Sequence, residues 1–332
     1  MPAAFPKIAS FSDVAAFRAR LAQLGIDLPV DDAPLSTAEG SPLAQPLAIG
    51  PLVAGNRWCI HPMEGWDAEA DGTPSELTLR RWRNFGLSGA KLIWGGEAAA
   101  VCPDGRANPH QTLATPENRA AIGKLLETLR EAHRDAFGTI DDLVVGLQLT
   151  HSGRFSRPHG PPAPRAAYHH PILDARCGIL PGDDSAIWTD DELEALIDQF
   201  VAAAGVARDA GFQFVDVKAC HGYLLHEFLS ARVRPGRFGG DLAGRSRLLT
   251  AIVTRVRETY PDLLVGVRLS VFDTVPFHPG PEGGEPAPFE ELLPYDFGFG
   301  VKRDNPLDAD LAEPIELLRN LRGLGVAMFN LS

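Results

Sequence analysis

A chain of 332 residues with 45% hydrophobic and 22% charged residues has the composition of an ordinary globular protein, long enough for one large α/β barrel or two smaller domains. Its formal net charge of −12 argues against a nucleic-acid partner, because that recognition rests on cationic neutralisation of phosphate. No apolar run approaches the roughly 18 residues of a membrane-spanning helix, and the opening MPAAFP lacks the basic-then-apolar pattern of a signal peptide. A cytoplasmic protein acting on a small molecule, with no membrane partner, is expected; homo-oligomerisation is left open. Cys59, Cys102, Cys177 and Cys220 form no C-x-x-C pair and read as reduced thiols.

In chain order, Ser12 or Asp13 can cap a short amphipathic helix carrying Val14, Phe17 and Leu21 and ending near Gly25. A polar, proline-containing linker follows from Asp31 to Pro46, so residues 1–50 read as an arm and linker. Ile49 to Asn56 (IGPLVAGN) reads as a tight hairpin entering the first strand. From there short apolar runs alternate with helical periodicity, the pattern of βα units and a parallel sheet. Candidate strands are Arg57 to His61, Ala90 to Trp94, Leu143 to Leu149, Phe212 to Val217, Leu263 to Leu269 and Val326 to Leu331. Helices are marked by Thr115-Pro116 with Ile122, Leu125 and Leu129, and by a Thr189/Glu192 capping box before Leu193, Leu196, Ile197 and Phe200. Two more carry Leu248, Ile252 and Val256, and Ile315, Leu318 and Leu321 after Pro314. Two long connections, Ser152 to Trp188 and Val271 to Pro306, follow strands and read as lids or pocket walls.

The chemistry concentrates at strand exits. Phe214 to Ala231 (FVDVKACHGYLLHEFLSA) puts Lys218, His221 and Tyr223 directly after a short strand, where a barrel enzyme keeps its reactive groups. Other exits carry Asn56 to Glu64 (NRWCIHPME), Glu97-Ala98 with Val101 to Arg106 (VCPDGR), Gln148 to Arg154 (QLTHSGR) and Val267 to Ser270 (VRLS). Together these motifs resemble the old yellow enzyme family, the flavin-dependent ene-reductases and dienoyl-CoA reductases. The resemblance covers roughly Asn56 to Ser332. It implies an α/β fold of the TIM (β/α)8 barrel type, with residues 51–332 as the FMN-binding barrel, FMN as cofactor and NAD(P)H as electron donor. It implies a flavin rim at His61, Pro62, Met63 and Glu64, contacts at Ala98 and Gln148, and Arg268 near the N1/O2 edge. It also implies reduction of an activated C=C bond, with Lys218 and His221 as donors to the acceptor's carbonyl and Tyr223 as proton donor.

Lys218 departs from the family, which has His there; its charge should favour an anionic acceptor. His151 reads as a structural, hydrogen-bonded histidine. Gly95-Gly96 suits either a turn or close backbone approach to a flat ligand. His221, His226 and Glu227 match no usual zinc spacing, so no metal is expected. No G-x-G-x-x-G follows a strand, which leaves a separate Rossmann domain unsupported. Only six of the eight strands of such a barrel can be counted, so the chain is expected to be part of a longer polypeptide. Two other readings keep their place: a Schiff-base lyase or aldolase using Lys218, and a non-catalytic scaffold or partner subunit of a flavoprotein.

Overall fold

The alternation of inward and outward residues along each strand explains the architecture. In the computed structural model, which describes residues 6–281 and 283–332, Val215, Val217 and Ala219 pack outward in one core with Leu196, Phe200, Leu248 and Ile252 of the surrounding helices. Phe214 instead faces inward, in a second cluster with Ile49, Ala54, Trp94, Val144 and Met328. A sheet apolar on both faces suits parallel strands wrapped by helices. Each fully buried Val, Leu or Ile adds about 1.5–3 kcal/mol. The N-terminal MPAAF of the signal-peptide argument lies outside the described residues.

Helix α1 (Val14–Gln23) starts at Asp13, whose carboxylate accepts from the backbone N–H of Ala16. The hairpin β1 (Leu47–Ile49) and β2 (Leu52–Ala54) turns at Gly50-Pro51, and its Ile49 and Ala54 plug the floor of the sheet. The boundary expected at residue 50 therefore falls at the tip of this hairpin. Then follow β3 (Cys59–Ile60), α2 (Glu76–Leu87), β4 (Leu92–Ile93), β5 (Ala98–Ala100), α3 (Arg119–Phe137) and β6 (Val144–Thr150). Beyond them come α4 (Leu173–Cys177), α5 (Asp190–Ala210), β7 (Phe214–Ala219), α6 (Leu224–Leu229), α7 (Leu242–Thr259) and β8 (Leu264–Leu269). A small hairpin, β9 (Phe277–Gly280) with β10 (Gly283–Pro286), precedes α8 (Ala312–Gly323) and β11 (Met328–Leu331).

The main sheet runs β3-β4-β6-β7-β8-β11, with β5 also on β6, and every pairing in it is parallel. All six expected strands are present. Between β4 and β5 the chain breaks at Gly95 (φ +101°) and Gly96 (φ +43°). A Cβ on Gly95 would stand 2.8 Å from the Gln148 nitrogen, and one on Gly96 the same distance from the Trp82 ring. The glycines thus serve a turn pressed against protein. Helix α2 has no counterpart in the sequence expectation: its inward face is Thr78, Trp82 and Gly86, too short and polar a stripe to show as helical periodicity. Gly86 lets α3 come close, since a Cβ there would meet the Leu129 carbonyl at 2.4 Å.

Neither long connection is without structure. The first holds α4 and is anchored by Arg154, which is buried; its Nε donates to Glu227 at 2.7 Å, Nη2 to the Tyr168 carbonyl at 2.6 Å, and Nη1 pairs with Asp174. The second holds the β9–β10 hairpin. Among the described residues no helix is long and apolar enough to cross a membrane.

Candidate active site

Strand register determines which side chains meet at the mouth of the sheet. Gln148 lies beside Ala98 and Asp216, while Lys218 lies beside Arg268, which in turn neighbours Asn330. Along β7, Asp216 and Lys218 are two apart and so share a face. Asp216 is fully buried and its Oδ2 accepts from Gln148 Nε2 at 2.6 Å, while burial pushes its carboxyl up to about 6. The sequence motifs did not single out Asp216. An acid at an inward position of an otherwise apolar strand, FVDV, was the available signal.

At the exits three groups come into direct contact. Glu64, four residues beyond β3, accepts at Oε1 from Lys218 Nζ at 2.5 Å and at Oε2 from the Tyr223 hydroxyl at 2.7 Å. Lys218 Nζ lies 3.7 Å from the centre of the Tyr223 ring, a cation–π contact. Lys218 and Glu64 side chains are only 6% and 10% exposed, so this pair is largely screened from water. Burial first, then the Glu64 charge, drives the Tyr223 phenol far above its ordinary range, so it is protonated at neutral pH. The Lys218 charge, from which a bias toward an anionic acceptor was expected, is paired with Glu64 in the structure.

His221 adopts a positive φ of +60°, one of two non-glycine residues to do so among those described, the other being Trp66. Its backbone N–H donates to Ser270 Oγ at 3.1 Å, which fixes the turn after β7. Burial, with Arg268 and Lys218 nearby, pulls its imidazole down to about 4, so at neutral pH it carries an N–H donor and no charge. His221 and Tyr223 line a cavity of about 500 Å³ together with Trp66, Asn108, Phe155 and Arg157.

The remaining expected residues are spread over the same rim. His61 Nδ1 accepts from Asn330 Nδ2 at 3.0 Å, joining the exits of β3 and β11. Pro62 is buried and Met63 exposed; Met63 N–H donates to the Gly96 carbonyl, and its own carbonyl accepts from the N–H of Ala98. Glu97, buried and pushed up to about 7 by burial, pairs with Arg81 at 2.9 Å. Arg81 also holds Asp67, tying α2 to the loop after β3. That arginine was missed, because α2 itself was. His226 Nδ1 accepts from the Gly222 N–H, and Glu227 belongs to Arg154, so neither joins His221 as a ligand set. Cys102, Asp104 and His151 do converge, but His151 Nδ1 accepts from the Gly153 N–H. Its ring proton therefore sits on Nε2, the atom a metal would need bare.

The sequence profile of the NADH:flavin oxidoreductase / NADH oxidase family matches residues 42–287. The chain belongs to this family. Its relatives include an NADPH dehydrogenase of Bacillus subtilis (strain 168), 30% identical over 70% of this chain and 64% of that protein's length. A putative 12-oxophytodienoate reductase 2 of Oryza sativa subsp. japonica is 33% identical over 71% of this chain and 61% of its own. The chain thus spans under two thirds of the length of these curated relatives. Among solved structures, an Old Yellow Enzyme from Pichia sp. AKU4542 superposes with a TM-score of 0.62 at 21% identity, covering 86% of this chain and 69% of that one. A morphinone reductase mutant in complex with tetrahydroNAD gives 0.61 at 23% identity, covering 86% and 72%. These likenesses establish the α/β barrel fold of the old yellow enzymes.

The family's members are flavin oxidoreductases, and the residues present fit a flavin. Arg268 Nε is buried with no hydrogen-bond partner among the described residues. Gln148 spends its amide N–H on Asp216 while no described group donates to its Oε1, which leaves an acceptor for a ring N–H. An unsatisfied donor and a free acceptor on one inner face are what the edge of an isoalloxazine requires.

Proposed function

We propose that this chain carries the flavin and acceptor sites of an FMN-dependent NAD(P)H oxidoreductase that reduces an activated C=C bond. The observation that supports it most is the Glu64–Lys218–Tyr223 contact at the mouth of a sheet whose inner face also offers Arg268 and Gln148. Arg268 and Gln148 would hold the flavin's N1/O2 and N3 edge, and the His61-Pro62-Met63-Glu64 segment with Ala98 its outer rim. Bound reduced FMN would supply hydride to the acceptor's β-carbon. Lys218 and neutral His221 then offer donors to the carbonyl oxygen on which charge develops. Tyr223 holds the proton destined for the α-carbon, and Trp66 and Phe155 narrow the cavity above it. Residues 51–332 would form the cofactor-binding barrel and residues 1–50 the arm.

Arg268→Ala tests this reading. Losing one charge-assisted hydrogen bond is worth roughly 1.5–3 kcal/mol, so FMN should bind at least about tenfold more weakly and be harder to reduce. Titration of the protein with FMN, followed by fluorescence quenching, and a redox titration of the bound flavin read both effects. Unchanged affinity together with unchanged potential would overturn the assignment.

A further inference from the structure

We infer that Glu64 is the charge-setting residue of the acceptor site. Its carboxylate offsets the Lys218 ammonium and accepts from the Tyr223 hydroxyl, so that the site carries no net cation toward the acceptor. The family motif around Pro62-Met63 offers no reason to expect this; the contact joins positions 154 and 159 residues apart. Glu64 acts through Lys218 and Tyr223 and is a positioning residue. The inference rests on reading those two as the acceptor's partners.

Three observations converge on it. Glu64 divides its two oxygens between the two residues, at 2.5 and 2.7 Å, and makes no other side-chain hydrogen bond among the described residues. Lys218 has no other ion-pair partner among them, so its charge is met by Glu64 alone. Lys218 also lies 3.7 Å from the Tyr223 ring centre, so the same cation would stabilise a phenolate if Glu64 were neutral. The groups around Tyr223 are Glu64 from the β3 exit, Lys218 and Cys220 from the end of β7, Ser152 from the β6 exit and the Phe155 ring. His221 and Arg268 lie one layer farther and both act on the same cluster.

Glu64→Gln keeps the size and removes the charge. Two readings on the full chain decide the matter. The first is the alkaline tyrosinate absorbance, with the matching Tyr223→Phe trace subtracted in each background, because the chain has four tyrosines. Tyr223 should stay protonated up to alkaline unfolding in the parent and ionise before it in Glu64→Gln. The second is calorimetric binding of benzoate against benzamide, two probes of one shape that differ in charge, to the FMN-loaded protein. In Glu64→Gln the benzoate affinity should rise by about tenfold or more, as expected for an unmatched cation at this depth, with benzamide nearly unchanged. Glu64→Asp retains the charge and should behave as the parent in both. A silent Tyr223 in Glu64→Gln, an unchanged benzoate-to-benzamide ratio, or an aspartate variant that shifts as far as the glutamine one would each overturn the inference. The tyrosinate reading needs no flavin or turnover, so it stands even where the oxidoreductase reading fails.

Discussion

Tyr223→Phe should leave reduction of bound FMN by NAD(P)H close to the parent rate and slow the acceptor's half-reaction by about two to four orders of magnitude, the usual cost of a lost general acid. The asymmetry follows from position. The Tyr223 hydroxyl is fixed to Glu64 at the strand exits and lines the outer cavity, whereas Arg268 and Gln148 lie on the inner face assigned to the flavin. Removing one oxygen atom leaves the Lys218–Glu64 pair and the ring contact with Lys218 in place, so little else should change. Stopped-flow measurement of the two half-reactions separates the effects. Parent rates in both would reduce Tyr223 to a structural role, and a loss confined to flavin reduction would move it to the cofactor site.

The largest effect on stability should come from Arg154. Its guanidinium is entirely buried and ties Glu227 on α6 to Asp174 and the Tyr168 carbonyl in the long connection after β6. Arg154→Met keeps much of the volume and leaves Glu227 as a buried carboxylate without a cation. Breaking one side of such a pair costs about 3–5 kcal/mol. By contrast Arg255→Ala removes an exposed pair with Asp198, and should change stability by no more than about 1 kcal/mol. Urea unfolding of both variants beside the parent checks the difference. Similar midpoints for the two would mean that water reaches Glu227 and that the network is not the anchor.

Much of the barrel was legible because βα units write themselves locally. Each of the six strands is a short apolar run, and α3, α5, α7 and α8 carry apolar residues at helical spacing. Helix α2 was not, since Thr78, Trp82 and Gly86 make a contact face of one large and two small residues. Strand β5 was hidden by the glycine break that separates it from β4. At the site, Lys218, His221 and Tyr223 stood out because they fall within six residues at the exit of one strand. What they touch did not. Glu64 sits on another exit, and its role arises only when the sheet curls and brings distant exits face to face. The charge of Lys218, read alone, gave no sign of its pairing with Glu64 for that reason.

The order of the sheet has a consequence for how the protein is made. Beyond β3, every main-sheet strand except β5 lies beside one that precedes it in the chain, so a nascent chain emerging at about 5–20 residues per second can lay down β4, β6, β7, β8 and β11 in turn, each against an edge already waiting. Strand β5 waits only for β6, the next strand made, so almost every pairing in the sheet forms between near neighbours in the chain. The exception is the hydrogen bond from Asn330 to His61, which spans 269 residues. Closing so long a loop comes late. The first exit of the sheet thus gains this neighbour only after every other described strand has been synthesised.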